Sequence, residues 1–344
     1  MFLNRFPRFA LGHFPTPLER LDRVSELLDG PEIWIKRDDC TGLATGGNKT
    51  RKLEFLLADA LRHGADTIVT HGATQSNHVR QTAAAAARCG MSCVALLERR
   101  VPDLGAAYDT SGNVFLDELF ECTLEERASG LDMNAEVEAR ARTLAAQGRV
   151  PYAIPGGGSN AVGALGYVRC MHELAAQLDA QGMQADALVH ATGSAGTQAG
   201  LVAGAAMLGW PMPILGVSVR APRQRQIANV ERLTEETLAL LGHPFELPEG
   251  AVEADDAHVG PGYGYPAPDT LDAIRLLANV EGILLDPVYS GKGFAGLIAM
   301  IRAGRYKRGE RVVFLHTGGA AVLPAYERIM RTHRSRTPIE AVTG

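Results

Sequence analysis

Short apolar runs alternate along this chain with longer stretches of helical period. Ile33-Trp34-Ile35-Lys36, Thr67-Ile68-Val69-Thr70 and Cys93-Val94-Ala95-Leu96-Leu97 read as strands. Residues 48–63 read as a helix with Leu53, Leu56, Leu57, Ala60 and Leu61 on one face, and 76–89 as an alanine-rich helix. The rhythm returns three times: Ala187–His190 before a helix over 197–208, Ile214–Val219 before 224–241, and Val312–His316 before 319–330. Strands this apolar are expected to be buried on both faces. The pattern therefore predicts an α/β fold of open parallel sheets covered by helices. The longest irregular stretch, 243–268, is rich in Pro, Gly, Asp and His, and a loop of that length is expected to be functional or mobile. The polar, basic tail after Met330 is expected to fray.

Length and charge narrow the class. The 344 residues suggest two domains with ample core, and 46% hydrophobic with 21% charged residues fits a soluble globular protein. A net charge of −5 provides no global field for nucleic acid. No apolar run reaches the length of a membrane span, and the first residues lack a signal-peptide core. Cys40, Cys89, Cys93, Cys122 and Cys170 are odd in number and contain no C-x-x-C pair. Reduced thiols in a cytoplasm are expected, with no disulfide and no metal site.

The chemistry concentrates in a few turns. Thr45-Gly46-Gly47-Asn48-Lys49-Thr50-Arg51-Lys52-Leu53-Glu54 places a lysine after a glycine pair, where the first long helix begins. An amine at such a junction suits a Schiff base with a cofactor aldehyde. The same stretch nearly matches G-x-x-x-x-G-K-[ST], but Asn48 separates the second glycine from the lysine, which breaks the phosphate-cradling register. A solvated helix start bearing Lys49, Arg51 and Lys52 is the plain alternative. Gly193-Ser194-Ala195-Gly196-Thr197 lies between strand and helix, where converging N–H groups and the helix dipole favour a phosphate without a cationic side chain. Close packing alone would also explain its glycines. Gln75-Ser76-Asn77-His78 opens another helix. Ser76 and Asn77 are ordinary caps, but free N–H groups there also suit a substrate carboxylate, with the Asn77 amide directed at a cofactor oxygen. His78 reads as a helix-surface or packing histidine rather than a base, and joins Ser76 and Asn77 as a substrate-binding candidate. Together the three segments point to pyridoxal 5′-phosphate (PLP).

Other residues join the candidates. Pro155-Gly156-Gly157-Gly158-Ser159-Asn160 reads as a domain hinge in preference to a ligand-facing turn. Tyr263, in the long loop, and Tyr289, after Asp286-Pro287-Val288, could bond substrate or move a proton if their pKa were lowered, although both also fit as ordinary loop aromatics. Thr317, in His316-Thr317-Gly318-Gly319, could meet a pyridine nitrogen.

These segments resemble the fold-type II PLP enzymes, the tryptophan synthase β-like group. More narrowly they resemble the family of aminocyclopropane-carboxylate (ACC) deaminase, D-cysteine desulfhydrase and L-cysteate sulfo-lyase. The likeness runs from Phe6 to Tyr326 through Pro15–Glu19, Lys36–Asp39, residues 46–54, 75–78, 157–160, 163–167, Leu285–Tyr289 and 316–319. It implies two open parallel-sheet domains with the cofactor between them: a large discontinuous one (1–50 and 163–344) and a small inserted one (51–162). It also implies a homodimer acting on a small amino acid. By the resemblance Lys49 carries PLP, Ser76 and Asn77 meet the carboxylate and cofactor ring, residues 193–197 hold the phosphate, Tyr263 and Tyr289 face the substrate, and Thr317 meets the pyridine nitrogen.

ACC deaminase is expected to have Glu after its counterpart of Tyr289 and Leu in place of Thr317. Ser290 and Thr317 here match the sulfur-eliminating members, so a carbon–sulfur lyase is expected. Arg220, Arg223 and Arg225 follow a strand end, where open sheets place ligands, and could meet a dianion; a solvated loop explains them equally. Thr74 and Gln198 add polar groups beside the two binding turns. L-cysteate, giving pyruvate, sulfite and ammonium, is the leading substrate, and D-cysteine, giving sulfide, the alternative. A nucleotide-phosphate-binding protein without PLP, or a PLP-binding sensor without turnover, are the rival classes.

Overall fold

The computed structural model describes residues 2–242, 247, 248 and 250–333. Ten strands are formed among these residues: β1 (Leu18–Arg20), β2 (Glu32–Arg37), β3 (Thr67–Ala73), β4 (Ser92–Glu98), β5 (Thr123–Arg127), β6 (Pro151–Ala153), β7 (Ala187–Thr192), β8 (Ile214–Ser218), β9 (Glu253–Asp255) and β10 (Arg311–His316). They make two sheets, ordered β1-β2-β10-β7-β8-β9 and β5-β4-β3-β6. The smaller sheet is wholly parallel and comes entirely from residues 67–153. The larger is mixed, because the edge strand β1 pairs antiparallel with β2. The strands expected from apolar runs all form. Those the pattern did not show, β1, β5, β6 and β9, are edges, three of them only three residues long and none buried along its length.

The larger sheet is buried on both faces, which is why its central strands carry no polar alternation. Val312 and Phe314 of β10 pack with Ile33, Ile35, Val189 and Phe294 on one side. Val313 and Leu315 pack with Leu188, Tyr167 and Val202 on the other. The expected helices form as Lys49–Arg62, Asn77–Arg88, Gly196–Leu208 and Arg223–Leu240, with Ala161–Ala180, Pro268–Glu281 and Ser290–Arg302 added. The helix expected over 319–330 does not form as one piece. Pro324 lies inside a 3-10 turn over Ala320–Tyr326, and only Glu327–Thr332 is α-helical. Proline lacks the N–H that an α-helix interior needs. Part of the irregular stretch 243–268 and the tail from 334 onward lie outside the described residues.

A buried charged cluster joins the larger sheet to two helices. Arg51 donates to Asp38 at 2.7 and 2.8 Å and to Glu173 at 2.9 and 3.0 Å. Lys36 donates to Glu173 at 2.5 Å and to the Thr16 carbonyl at 2.6 Å, and Tyr167 donates to Asp38 at 2.6 Å. Asp38, Arg51 and Lys36 are at most 2% exposed. Burial alone would raise the Asp38 carboxyl, but Arg51, Lys36 and Tyr167 hold it below its ordinary value. Removing one member leaves an uncompensated buried charge. Arg51→Met and Asp38→Asn should each lower stability by about 3–5 kcal/mol, read from urea unfolding of the cofactor-free protein. A loss under about 1 kcal/mol, the scale of an exposed pair, would show the cluster to be solvent-screened.

Candidate active site

The loop before helix Lys49–Arg62 needs its glycines. Gly46 has φ +77°, and a Cβ there would lie 1.9 Å from the Asp39 carbonyl oxygen. The Asn48 N–H donates to the Thr317 carbonyl at 3.0 Å, and its side-chain amide donates to Thr197 at 3.0 Å. Asn48, the residue that spoils the P-loop register, thus ties the lysine loop to the end of β10 and to the 193–197 turn. Lys49 faces a cavity of about 520 Å³ between the two sheets and a narrow annex beside it. Burial lowers its amine from the ordinary lysine value to about 8.

The 193–197 turn forms the opposite wall. Ala195 adopts φ +69°, a conformation rare for a residue with a side chain, at the start of helix Gly196–Leu208. Gly193, Ser194 and Ala195 line both cavity and annex, and Thr197 lines the annex. Gly196 allows close approach instead: a Cβ there would lie 2.6 Å from the Ser159 hydroxyl and 3.0 Å from Lys52 Nζ. The turn therefore does have a lysine beside it. Lys52 is fully buried, donates to the Gly157 carbonyl at 3.1 Å and Ser159 Oγ at 3.2 Å, and has its pKa lowered well below the ordinary value by burial and by Lys49. A buried ammonium beside a helix N-terminus lacks a counter-charge that a phosphate would supply. The 155–160 segment expected as a hinge also forms cavity wall through Pro155, Gly156, Gly157 and Ser159.

Ser76 caps helix Asn77–Arg88, its hydroxyl accepting from the Val79 N–H at 3.3 Å, and it also lines the cavity. The Asn77 side-chain oxygen accepts from Arg80 and from Asn113, both at 2.9 Å, so its NH2 is the end left for the annex it lines. His78 borders the cavity, but its Nε2 meets Thr70 Oγ1 at 2.8 Å and its Nδ1 meets Thr82 Oγ1 at 3.4 Å. Burial and then Lys49 hold it well below the ordinary histidine pKa. Both nitrogens are used inside the protein, which fits packing and leaves no base. Thr317 lines the annex with Asn48 and Gly318.

Tyr263 and Tyr289 come together across the cavity, their oxygens 2.6 Å apart and their rings nearly perpendicular. Burial pushes both phenols up, Tyr289 well above its ordinary value. The lowered phenol pKa that proton transfer would need is therefore not met, and the pair act as neutral donors. Arg220 and Arg225 line the cavity, but Arg223 does not; its backbone N–H is held by Asp256 at 2.8 Å. Gln198 turns away, donating to the Glu253 carbonyl at 2.7 Å, and Thr74 is absent from the lining. Arg100 and His71 were not legible in the sequence. Arg100 follows β4, lies 5.1 Å above the Tyr263 ring and donates to Glu98 at 2.5 Å. His71 lines the cavity with Nε2 on Asn134 at 3.0 Å and Nδ1 without a partner among the described residues.

An amine without a partner among the described residues, a buried lysine at a helix start and an outgoing amide around one cleft fit a phosphorylated aldehyde cofactor. The comparisons agree. The family described as "Pyridoxal-phosphate dependent enzyme" matches residues 9–318. The chain belongs to that family. It is similar over 97% of its length to 98% of a structure described as an ACC deaminase homologue, at 35% identity and a TM-score of 0.87. A fungal L-serine ammonia-lyase from Rhizomucor miehei matches at 16% identity and TM-score 0.68, covering 95% of this chain and 100% of that one. A hydrogen sulfide-producing enzyme from Fusobacterium nucleatum matches at 14% and 0.60, covering 90% and 96%. The last two share the fold. The protein is thus a fold-type II PLP enzyme of α/β architecture. Among the described residues no helix is long and apolar enough to cross a membrane.

Two outcomes test this site. In the cofactor-free protein the Lys49 amine should react with trinitrobenzenesulfonate with a half-maximal rate near pH 8, because the lowered pKa leaves it neutral above that pH. A midpoint near that of exposed lysines, about 10.4, would contradict the burial argument. Lys52→Met should raise the Kd for PLP by roughly 100-fold, the scale of losing charge-assisted hydrogen bonds, and leave pyridoxal affinity nearly unchanged. Equal losses for both would remove Lys52 from the phosphate site.

Proposed function

We propose that this protein is a PLP-dependent carbon–sulfur lyase acting on L-cysteate. The observation that carries the reading is the charge of the cavity wall. Arg100, Arg220, Arg225, Arg232 and Lys49 line it with no aspartate or glutamate, in a chain of net charge −5. Glu98 and Glu236 pair with Arg100 and Arg232, whereas Arg220 and Arg225 have no carboxylate partner among the described residues. A cofactor phosphate and one carboxylate have Lys52 and the two helix starts. The remaining guanidinium groups suit a second, permanent anion such as a sulfonate.

In this reading Lys49 would hold PLP, and its amine, neutral above about pH 8, would take the α-proton of the substrate. Bound PLP supplies the electron sink. Ser76 and the free N–H groups at the start of helix Asn77–Arg88 orient the carboxylate, and Asn77 holds the cofactor ring. Thr317 serves the pyridine nitrogen, and residues 193–197 with Lys52 hold the phosphate. Tyr263 and Tyr289 donate hydrogen bonds to the substrate beside Arg220. The C–S bond breaks with both electrons leaving on sulfite, and water completes pyruvate and ammonium. The large domain would comprise 1–50 and 163–344 and the small one 51–162, with one sheet in each. The working unit would be a cytoplasmic homodimer, a setting that suits five free cysteines.

D-cysteine desulfhydration is the second reading, which Ser290 and Thr317, by their resemblance to the sulfur-eliminating members, suit equally well. ACC deamination fits less well despite the 35%-identical neighbour. Where that enzyme is expected to place glutamate, Ser290 is buried and donates to Asp286 at 2.7 Å.

The test compares sulfite release from L-cysteate with sulfide release from D- and L-cysteine. Sulfite should dominate. Arg220→Gln should lower kcat/KM for L-cysteate by roughly 10- to 100-fold, the loss of one charge-assisted hydrogen bond, and change turnover of β-chloroalanine much less. Efficient sulfide release without sulfite would shift the assignment to D-cysteine.

A further inference from the structure

Lys292 touches neither cavity nor annex. Its side chain is fully buried in the first turn of helix Ser290–Arg302, and its ammonium donates to the Val259 carbonyl at 2.7 Å and the Gly262 carbonyl at 2.8 Å. Both acceptors lie in the irregular segment between β9 and helix Pro268–Glu281, immediately before Tyr263. Tyr289 immediately precedes the first residue of the Lys292 helix. One helical turn therefore carries one phenol directly and grips the chain that carries the other.

The placement is electrostatically unfavourable by itself. A helix N-terminus is the positive end of the dipole, and burial disfavours an ammonium further. Burial lowers the amine to about 8, against the pull of Asp286 and Asp269. An apolar side chain would fill this position without that cost. What it could not do is donate to two carbonyls of a segment with little regular structure of its own. That segment has further ties: His258 on Asp269 at 2.7 Å, the Arg223 N–H on Asp256 at 2.8 Å, the Tyr326 hydroxyl on the Gly264 carbonyl at 2.7 Å and Arg100 above the Tyr263 ring. Among the described residues none of these bonds the 259–262 backbone, which only Lys292 reaches from another element.

We propose that Lys292 is a positioning residue that clamps the 259–262 backbone to the Tyr289 helix, so that the Tyr263 and Tyr289 hydroxyls meet as one donor pair toward the substrate. This rests on the reading above that both tyrosines face the substrate, but not on which sulfur compound is used. Lys292 acts through Tyr263 and does not touch the reacting atoms.

The holoenzyme tests it through a double-mutant cycle on β-chloroalanine, a substrate of β-elimination without a sulfonate. Lys292→Met should lower kcat by roughly 10- to 100-fold, the range for a misplaced acid–base or hydrogen-bonding group. It should leave the PLP absorbance intact and speed protease cleavage within 256–264. In a Tyr263→Phe background the same change should cost less than about threefold, because the group it positions is already gone. Full additivity, or an unchanged cleavage rate, would overturn the clamp. If Tyr263→Phe alone leaves kcat unchanged, the substrate-facing role of Tyr263 fails and the positioning proposal falls with it, even where the cleavage data uphold the tether. Should Lys292→Met not fold, Lys292→Gln, which keeps an N–H donor on a shorter arm, is scored by the same cycle.

Discussion

The orientation of helix Lys49–Arg62 depends on Arg51. Its guanidinium is locked between Asp38 at the end of β2 and Glu173 on helix Ala161–Ala180. Lys49 and Lys52, three residues apart, share a face of the helix, and Arg51 points away from it. Pinning Arg51 to the large sheet therefore turns both lysines toward the cleft between the sheets. A cluster this deeply buried contributes little net stability, since desolvation offsets most of the attraction. Its value is directional. A guanidinium with bidentate geometry on Asp38 tolerates little rotation, and a small rotation of this helix would move both lysines.

Opposite charges are therefore segregated across one helix. Carboxylates balance Arg51 on the structural face, whereas Lys49 lines a cavity wall without them and Lys52 is held by Gly157 and Ser159, which belong to that wall. Burial then lowers both amines, Lys52 further because Lys49 is beside it. Arg100, Arg220, Arg225 and Arg232 nevertheless give this acidic protein a cationic cavity wall, and low-dielectric surroundings strengthen its field. The two lysines differ in what they can do. Lys49 has burial as the sole cause of its shift to about 8, so its amine turns neutral only as the pH rises through that value. Lys52 is held by Gly157 and Ser159 and can only stay in place and bind an anion.

Local chemistry was legible from the sequence where one turn contains it. The Gly46-Gly47 pair announces a backbone that no other residue allows, and Gly193–Thr197 announces a strand-to-helix turn. Central strands were legible because both faces are buried. Lys52 was not, because its role comes from Gly157, Ser159 and Gly196, more than a hundred residues away. Arg100 belongs to the same class, although its place just past β4 matches the strand-end rule that singled out Arg220. Arg223 failed through helix phase: it starts helix Arg223–Leu240, and Arg225, two positions on, reaches the wall instead. Gln198 failed because a buried amide was needed at the β8–β9 edge. For the phenols the sign of the shift opposes the proton-transfer alternative alone, since burial outweighs the nearby Arg100 charge.

That sign bears on how such a cavity would eliminate sulfite. Neutral phenols and His78, with both nitrogens engaged, leave Lys49 and His71, whose Nδ1 has no partner among the described residues, as the lining groups able to accept a proton, and Lys49 does so near pH 8. The leaving group asks for something else. A sulfonate carries one negative charge while attached to carbon and becomes a dianion when the C–S bond breaks. Fixed guanidinium groups therefore hold it more strongly as the bond lengthens, which is binding that grows toward the transition state. Thiolate departure from cysteine also builds charge, but from a neutral thiol. There the same arginines would find no anion on the β-substituent in the ground state. A cationic wall that is already in place before substrate arrives serves both recruitment and departure only for a substrate that arrives charged at its β-substituent.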